Sequence, residues 1–374
     1  METRGPAPTA VADPDLAQLA QGHGPFLTVY LTTEAEVENA AQRSEQRWKT
    51  LRQTLRDDGA PEELLAKVDP LVADAHKRGE CLAVVVAEGD GEVHAEYEPE
   101  PPTADVGRWG PFPALAPLVE WRQSTVPHVV VLADRTGADI LAFARGRPDM
   151  VAEVKGDPDA PVHKAKPGGW SQARYQRRAE NAWEQNARDV AGAVADLVER
   201  IHGRLVVLAG DVRAVTMIKD DLPGEVAELV HVVEGGRAPD GSVDEIAEQT
   251  SRLVATVVAS DTRAVLEKFR EERGQHDRAA DGPDATITAL NESRVDVLLV
   301  PGDVDSDETV WGSATQPVPL SREPDTLRSL GVDDPVAGPL NDALIRAALG
   351  TGARVRIVPK AAAPEQGIGA ILRW

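Results

Sequence analysis

The sequence predicts an α/β chain built as successive portions, and three observations predict it. Short apolar and β-branched runs such as "PFLTVYL", "HVVVLA", "RLVVLAG" and "VDVLLV" recur along the whole length. Between them lie stretches whose apolar residues return every third or fourth position, which is the helical period. At 374 residues the chain is longer than one apolar core usually serves, so two or three domains are expected. The 42% hydrophobic content, spread with that periodicity, marks a folded chain.

Three portions follow, at residues 1–122, 123–275 and 276–374. In the first, "PFLTVYL" reads as a strand and the stretch around "ENAAQRSEQRWKTLRQTLRDD" as a helix. "CLAVVVAEGDGEVHAEY" reads as a strand pair turning at Gly-Asp-Gly. The proline-rich, aperiodic "EPEPPTADVGRWGPFPALAP" is expected to be a surface connection. In the second portion, "HVVVLA" and "ADILAFA" flank "DRTG" as a hairpin. A helix is expected from about Ser171 to Ile201, with one apolar stripe through Tyr175, Ala179, Ala182 or Trp183, Ala187, Val190, Val194, Leu197 and Ile201. Strand "RLVVLAG", short helix "RAVTMIKDDLP", strand "ELVHVVEG" and a long helix beginning "VDEIAEQ" complete it. An antiparallel pair followed by alternating helices and strands predicts a mixed, helix-covered sheet of RNase H-like type. The third portion alternates helix "ATITALNES", strand "VDVLLV", helix "DALIRAALGTG" and strands "RVRIVP" and "GIGAILRW", a compact α-β-α layer.

Composition narrows the function. The single cysteine, Cys81, leaves no internal disulfide and no cysteine-based zinc site, and suits a reducing cytoplasm. The opening "METRGPAPTAVADPDLAQLA" does not read as a secretory signal, and no apolar run approaches the roughly 20 residues that span a bilayer. No membrane partner is therefore expected, and the location is expected to be cytoplasmic. No glycine-rich loop of Walker type is present, so no nucleotide cofactor is expected. A net charge of −22 argues against a general nucleic-acid-coating role but leaves open one local basic patch.

That patch exists. From Pro161 to Ala179 there is no Asp or Glu, while Lys164, Lys166, Arg174, Arg177 and Arg178 are all cationic. The inversion points to an anionic partner; a solvated helix end is the plain alternative. Within "HKAKPGGWSQARYQRR" the glycine pair alone says little, since Gly235-Gly236 is a second such pair. The setting is more specific: His163 and Lys164 lie before it, Ser171 follows Gly168, Gly169 and Trp170, and an Arg-aromatic pair opens a long helix. Glycines let a backbone approach RNA closely, a helix N-terminus and cations attract phosphate, and an exposed Trp170 stacks on a base. Alternatively, Trp170 folds back onto its own domain.

The pattern resembles the middle domain of the archaeo-eukaryotic peptide-chain release factor 1 superfamily, whose loop reads Gly-Gly-Gln-Ser before an Arg-Phe pair. Gly168, Gly169 and Ser171 match, Arg174 and Tyr175 stand for Arg-Phe, and Trp170 replaces the glutamine. The C-terminal "RVRIVPKAAAPEQGIGAILRW" resembles the last strands of the superfamily's ribosomal-protein-like third domain. The resemblance thus implies a three-domain, release-factor-like architecture over most of the chain. It extends to the bacterial branch with its Balon-type ribosome hibernation factors of actinobacteria. It implies a stress-response protein that regulates translation by occupying the A site of the 70S ribosome in a tRNA-like manner. The first portion would face the decoding centre and the loop the peptidyl-transferase centre, with elongation factor Tu a further possible partner.

Residues His163, Lys164, Lys166, Gly168, Gly169 and Trp170 are the expected rRNA-binding set. Ser171, Gln172, Arg174, Tyr175, Arg177 and Arg178 continue it. The family glutamine helps place water at the ester joining peptide to tRNA; tryptophan has one N–H donor and no acceptor, so catalysis is not expected. The first portion also lacks the Asn-Ile-Lys-Ser decoding motif of the eukaryotic factors, so a stop-codon reader is not supported. Two rival readings remain. In one, Gln172 takes over the glutamine's role in a peptidyl-tRNA hydrolase rescuing stalled ribosomes. In the other, Asp134 and Asp211, each just after a strand, hold metal in a nuclease, though aspartate there is also an ordinary turn residue. His128 and His231, at strand beginnings, are expected to be structural.

Overall fold

The computed structural model describes residues 13–33, 39–98, 104–134, 137–144, 148–155, 170–235, 242–275, 278–302 and 308–374, giving only the backbone path for 98, 148–155, 170–183 and 242–243. The described residues fall into two compact units, one made of Met1–Gln123 with Ser260–Trp374 and the other of Ser124–Ala259.

The first unit begins with helix α1 (Pro14–Gln21), capped by Asp13, whose carboxylate accepts the Asp15 amide at 2.9 Å. Strand β1 (Phe26–Thr32), helices α2 (Ala40–Asp57) and α3 (Glu62–Ala73), and strands β2 (Cys81–Ala87), β3 (Val93–Glu98) and β4 (Val106–Gly110) follow, then helix α4 (Ala116–Ser124). The sheet order is β3-β2-β1-β4, all antiparallel, and the expected strand pair is β2 with β3. One face packs on α2 and α3 through Leu27, Val29, Trp48 and Leu65.

The stretch expected as a surface connection differs. Residues 106–110 pair with β1 as an edge strand, and Phe112, Ala114 and Leu115 behind it are buried. A Cβ on Gly107 would lie 2.7 Å from the Leu51 side chain, so the glycine lets β4 close onto α2. Pairing, not local alternation, makes this strand, which is why periodicity missed it.

The second unit contains strands β5 (His128–Asp134), β6 (Gly137–Phe143) and β7 (Pro148–Lys155), then the long helix α5 (Trp170–Ile201). Strand β8 (Leu205–Gly210), helices α6 (Val212–Asp221) and α7 (Gly224–Ala227), strand β9 (Val230–Val232) and the first part of helix α8 (Ser242–Gln275) complete it. The sheet order is β7-β6-β5-β8-β9. β6 runs antiparallel to both β5 and β7, while β8 and β9 run parallel to β5, which is the expected mixed RNase H-like sheet. The expected stripe of α5 is buried from Ala187 through Val190, Val194 and Leu197 to Ile201. Those residues meet Val129, Val131 and Val206 on one sheet face, and α8 covers the other through Ile246.

The rest of the first unit holds β10 (Ala279–Asp281), α9 (Pro283–Asn291), β11 (Val295–Pro301), β12 (Thr309–Gly312), α10 (Pro324–Ser329) and β13 (Val336–Pro339). Helix α11 (Leu340–Gly350) and strands β14 (Arg354–Val358) and β15 (Gly369–Leu372) close it. Its main sheet runs β10-β15-β11-β14, with β11 and β14 parallel across the α11 connection. Every residue of α11 from Leu340 to Leu349 is buried. Residues of the β1 sheet and of the β11 sheet enter one apolar cluster with it, including Tyr30, Val85, Leu298 and Val355.

Candidate functional site

The site is built at one end of the β5–β8 sheet. β5 and β6 form the expected hairpin, closing on the Asp134–Gly137 pair, and Lys155 at the end of β7 pairs with the same Gly137. On the other side of β5, Ala133 pairs with Gly210, the last residue of β8. The ends of β5, β7 and β8 and the start of β6 therefore form one crest. The strand from which the basic loop departs ends there.

Gly210 makes the crest tight. It has φ of +130°, and a Cβ on it would lie 1.8 Å from the Ala133 carbonyl oxygen. Only glycine fits. The chain then turns so that the Asp211 amide donates to the Ala133 carbonyl at 3.0 Å. The Asp211 carboxylate accepts the amides of Arg213 at 3.0 Å and Ala214 at 3.3 Å, capping α6. That geometry gives Asp211 a structural task in the place where a nuclease would use it as a ligand. Among the described residues, no group of three or more His, Cys, Asp or Glu side chains could hold a metal ion. A small cleft beside the crest is lined by Asp134, Asn186, Val190, Arg213 and Met217, with a mostly apolar floor.

Helix α5 links this crest to the predicted loop. Its end at Ile201 precedes β8, whose Leu205 pairs with His128 at the opposite end of the sheet. Asn186 and Ala187 stand at the crest, beside Asp134 and Gly137. The preceding residues continue past the end of the sheet, and Trp170 begins the helix about 24 Å further along the axis at 1.5 Å per residue. The helix is thus a stalk of more than four turns.

The predicted residues divide between two categories. His163, Lys164, Lys166, Gly168 and Gly169 lie outside the described residues. Trp170, Ser171, Gln172, Arg174, Tyr175, Arg177 and Arg178 all fall in the first nine positions of α5, which begins one residue earlier than the sequence suggests. Trp170 therefore opens the helix, and Gln172 is its third residue. Positions 170, 174, 177 and 178 recur on one side of the helix axis by their spacing.

The two strand-beginning histidines differ. His128 is buried, its Nδ1 is 2.7 Å from the Val126 carbonyl, and its ring stacks on Phe143 at 4.4 Å. Burial lowers its pKa from the usual histidine value. His231 is exposed on β9. Sequence reading missed Asn186, Arg213 and Met217 at the cleft; they carry no motif and meet only through the α5–α6 packing.

Comparisons with known proteins bear on this unit most directly. An uncharacterized protein of Mycobacterium tuberculosis is 29% identical over 366 residues, covering 96% of both chains. The peptide chain release factor subunit 1 of Methanopyrus kandleri is 25% identical over 200 residues, covering 52% of this chain and 48% of that one. Among solved structures, archaeal Pelota aligns with 99% of this chain and 95% of its own at 14% identity and a TM-score of 0.40. No helix among the described residues is long and apolar enough to cross a membrane. Residues 127–275, which hold the crest, the stalk and the basic loop, match the model of bacterial archaeo-eukaryotic release factor family 2, and it is over this segment that the chain resembles that family.

Proposed function

We propose that this protein binds the 70S ribosome in the cytoplasm, fills the A site in a tRNA-like manner and catalyses no peptide release, acting as a hibernation or stress factor. The observation that carries the reading is the segment matched by the family model. It keeps Gly168, Gly169 and Ser171, puts Trp170 where the release factors carry glutamine, and surrounds them with cations. Tryptophan offers one N–H and no acceptor, so the group that would orient a hydrolytic water is gone while the phosphate-binding groups remain. Residues 1–122, 123–275 and 276–374 serve as its three functional portions, the first toward the decoding centre and the loop toward the peptidyl-transferase centre. Contact with elongation factor Tu belongs to the same reading.

The test is co-sedimentation of the full chain with vacant 70S ribosomes across a salt series, beside a variant with Lys164, Lys166, Arg174, Arg177 and Arg178 changed to Glu. Stoichiometric binding by the wild type, lost in the variant, supports the reading. A wild-type chain that stays unbound at every salt concentration overturns it. Release of labelled peptide from ribosome-bound peptidyl-tRNA, abolished by Gln172→Ala, would replace the non-catalytic part with the rescue-hydrolase reading.

A further inference from the structure

We propose that residues 13–123 and 260–374 fold and unfold as one cooperative body, latched by the buried side chain of Arg346. The chain crosses out of this body after Gln123 and returns at Ser260, so its two stretches are far apart in sequence. Their apolar residues nonetheless form one continuous cluster. Phe26, Tyr30 and Val85 come from one sheet, Leu298 and Val355 from the other, and Leu344 from the helix α11 that joins them. Helices of each stretch, α1 and α4 on one side and α9 and α11 on the other, pack into this same cluster, so the apolar burial of the two sheets is shared.

Arg346 adds directional coupling to that shared core. It is 1% exposed, and its guanidinium donates to backbone carbonyls of both stretches. Nε reaches Ala20, 326 positions away, at 3.0 Å, and Nη2 reaches Gly22 at 2.9 Å. Nη1 reaches Ser313 at 2.7 Å, and Nη2 also reaches Ala314 at 3.0 Å. The ring of Phe26 lies under the cation at 5.1 Å and that of Phe112 at 5.9 Å. Burial draws its pKa down to about 10, so it stays protonated at neutral pH. A protonated guanidinium that lost either stretch would keep only half its acceptors in a dry site, which is strongly unfavourable. Opening one stretch therefore opens the other.

Further ties cross the same seam. Gly24 donates to the Ala314 carbonyl at 2.9 Å, and Gln21 donates to the Gly350 carbonyl at 2.6 Å. Arg108 of β4 donates to the buried Asp342 of α11 at 2.6 Å. Gln123 pairs with Ile357 of β14 through both amide atoms, at 2.8 and 2.9 Å, as a neighbouring strand would.

Native-state hydrogen exchange of the full chain in increasing urea tests this. The amides of Val29 and Leu31 in β1 and of Leu298 and Leu299 in β11 are expected to open with one shared urea slope. Arg346→Met keeps the side-chain length and removes the donors; it should lower protection at all four by the same factor, on the order of a hundredfold. Should that variant fail to fold, Gln21→Ala, which removes only the bond to Gly350, should give a smaller shift shared by the four sites. Different slopes for β1 and β11 in the wild type, or a variant that loosens β11 while β1 keeps its protection, would overturn the proposal.

Discussion

Asp211 separates the two readings of the crest, and a pair of substitutions exposes which is right. Its carboxylate accepts two amides at the start of α6, from Arg213 at 3.0 Å and Ala214 at 3.3 Å. An asparagine side chain keeps an acceptor oxygen in the same place; an alanine has none. Removing such a cap costs about 1 kcal/mol, up to about 2 where two amides lose their partner. Near the midpoint that corresponds to a fall in Tm of about 3–8 °C for a unit of this size. Asp211→Asn should stay within a few tenths of a kcal/mol of the wild type, apart from the loss of a favourable charge near the helix N-terminus.

The assay is urea unfolding of the full chain, read by hydrogen exchange at the α6 amides from Val215 to Ile218, so that the local effect is separated from global opening. RNA cleavage with magnesium is measured alongside. Equal destabilisation by Asn and Ala would show that the negative charge, not the hydrogen bond, is what the site needs, and the capping argument fails. Magnesium-dependent cleavage lost in Asp211→Asn would restore the nuclease reading. Unchanged stability in Asp211→Ala would refute the role drawn from the geometry altogether.

Two further substitutions test the same unit. Gly210→Ala places a methyl 1.8 Å from the Ala133 oxygen at a φ of +130°, so the β5–β8 pairing must open at the crest; the expected cost is about 3 kcal/mol or more, and a variant that melts like the wild type would contradict it. His128 has its pKa lowered by burial, so the unfolded chain, titrating near the reference value of 6.5, takes up a proton first as pH falls. Its contribution is complete above pH 6.5 and is lost as pH drops through the lower folded value. His128→Phe should therefore gain on the wild type progressively as pH falls below about 6.5 in urea melts; an offset that stays constant as pH falls would refute the assignment.

The elements that sequence reading found are those in which local pattern and tertiary environment agree. β5, β8 and β11 are continuous apolar runs buried in their sheets, and α5 and α8 are long amphipathic helices with one covered face. β4 escaped because its five residues include two glycines and are all half-buried, so neither alternation nor composition marks it. β7 escaped because "PDMVAEVK" mixes charges with apolar residues, and its place is set by pairing with β6. α11 was found as a helix, but nothing in "LNDALIRAALG" announces burial on every side with Asp342 and Arg346 inside. Their partners, Arg108 and the carbonyls of Ala20 and Gly22, lie hundreds of positions away. The site was legible in a different way. The charge inversion and the helix start could be read directly, whereas the meaning of Gly-Gly-Trp came only from resemblance to a family.

The stalk bears on how an acidic chain of net charge −22 could hold RNA at all. Trp170 begins α5 about 24 Å beyond Asn186, which is about three Debye lengths at physiological ionic strength. At that separation most of the repulsion between phosphate and the acidic residues behind the crest is screened, while cations in direct contact with phosphate are screened far less. Five such contacts would give a slope of log affinity against log salt of roughly −3.5 to −4.5. At about 0.01 M salt the Debye length grows to about 30 Å, longer than the stalk, and the acidic body repels the RNA that the loop attracts. The salt dependence of ribosome binding is therefore expected to be steep near physiological ionic strength and to flatten or reverse below roughly 0.05 M. A steep line of constant slope down to the lowest salt would refute the idea that stalk length isolates the loop. A slope near zero throughout would show that the five cations do not meet phosphate.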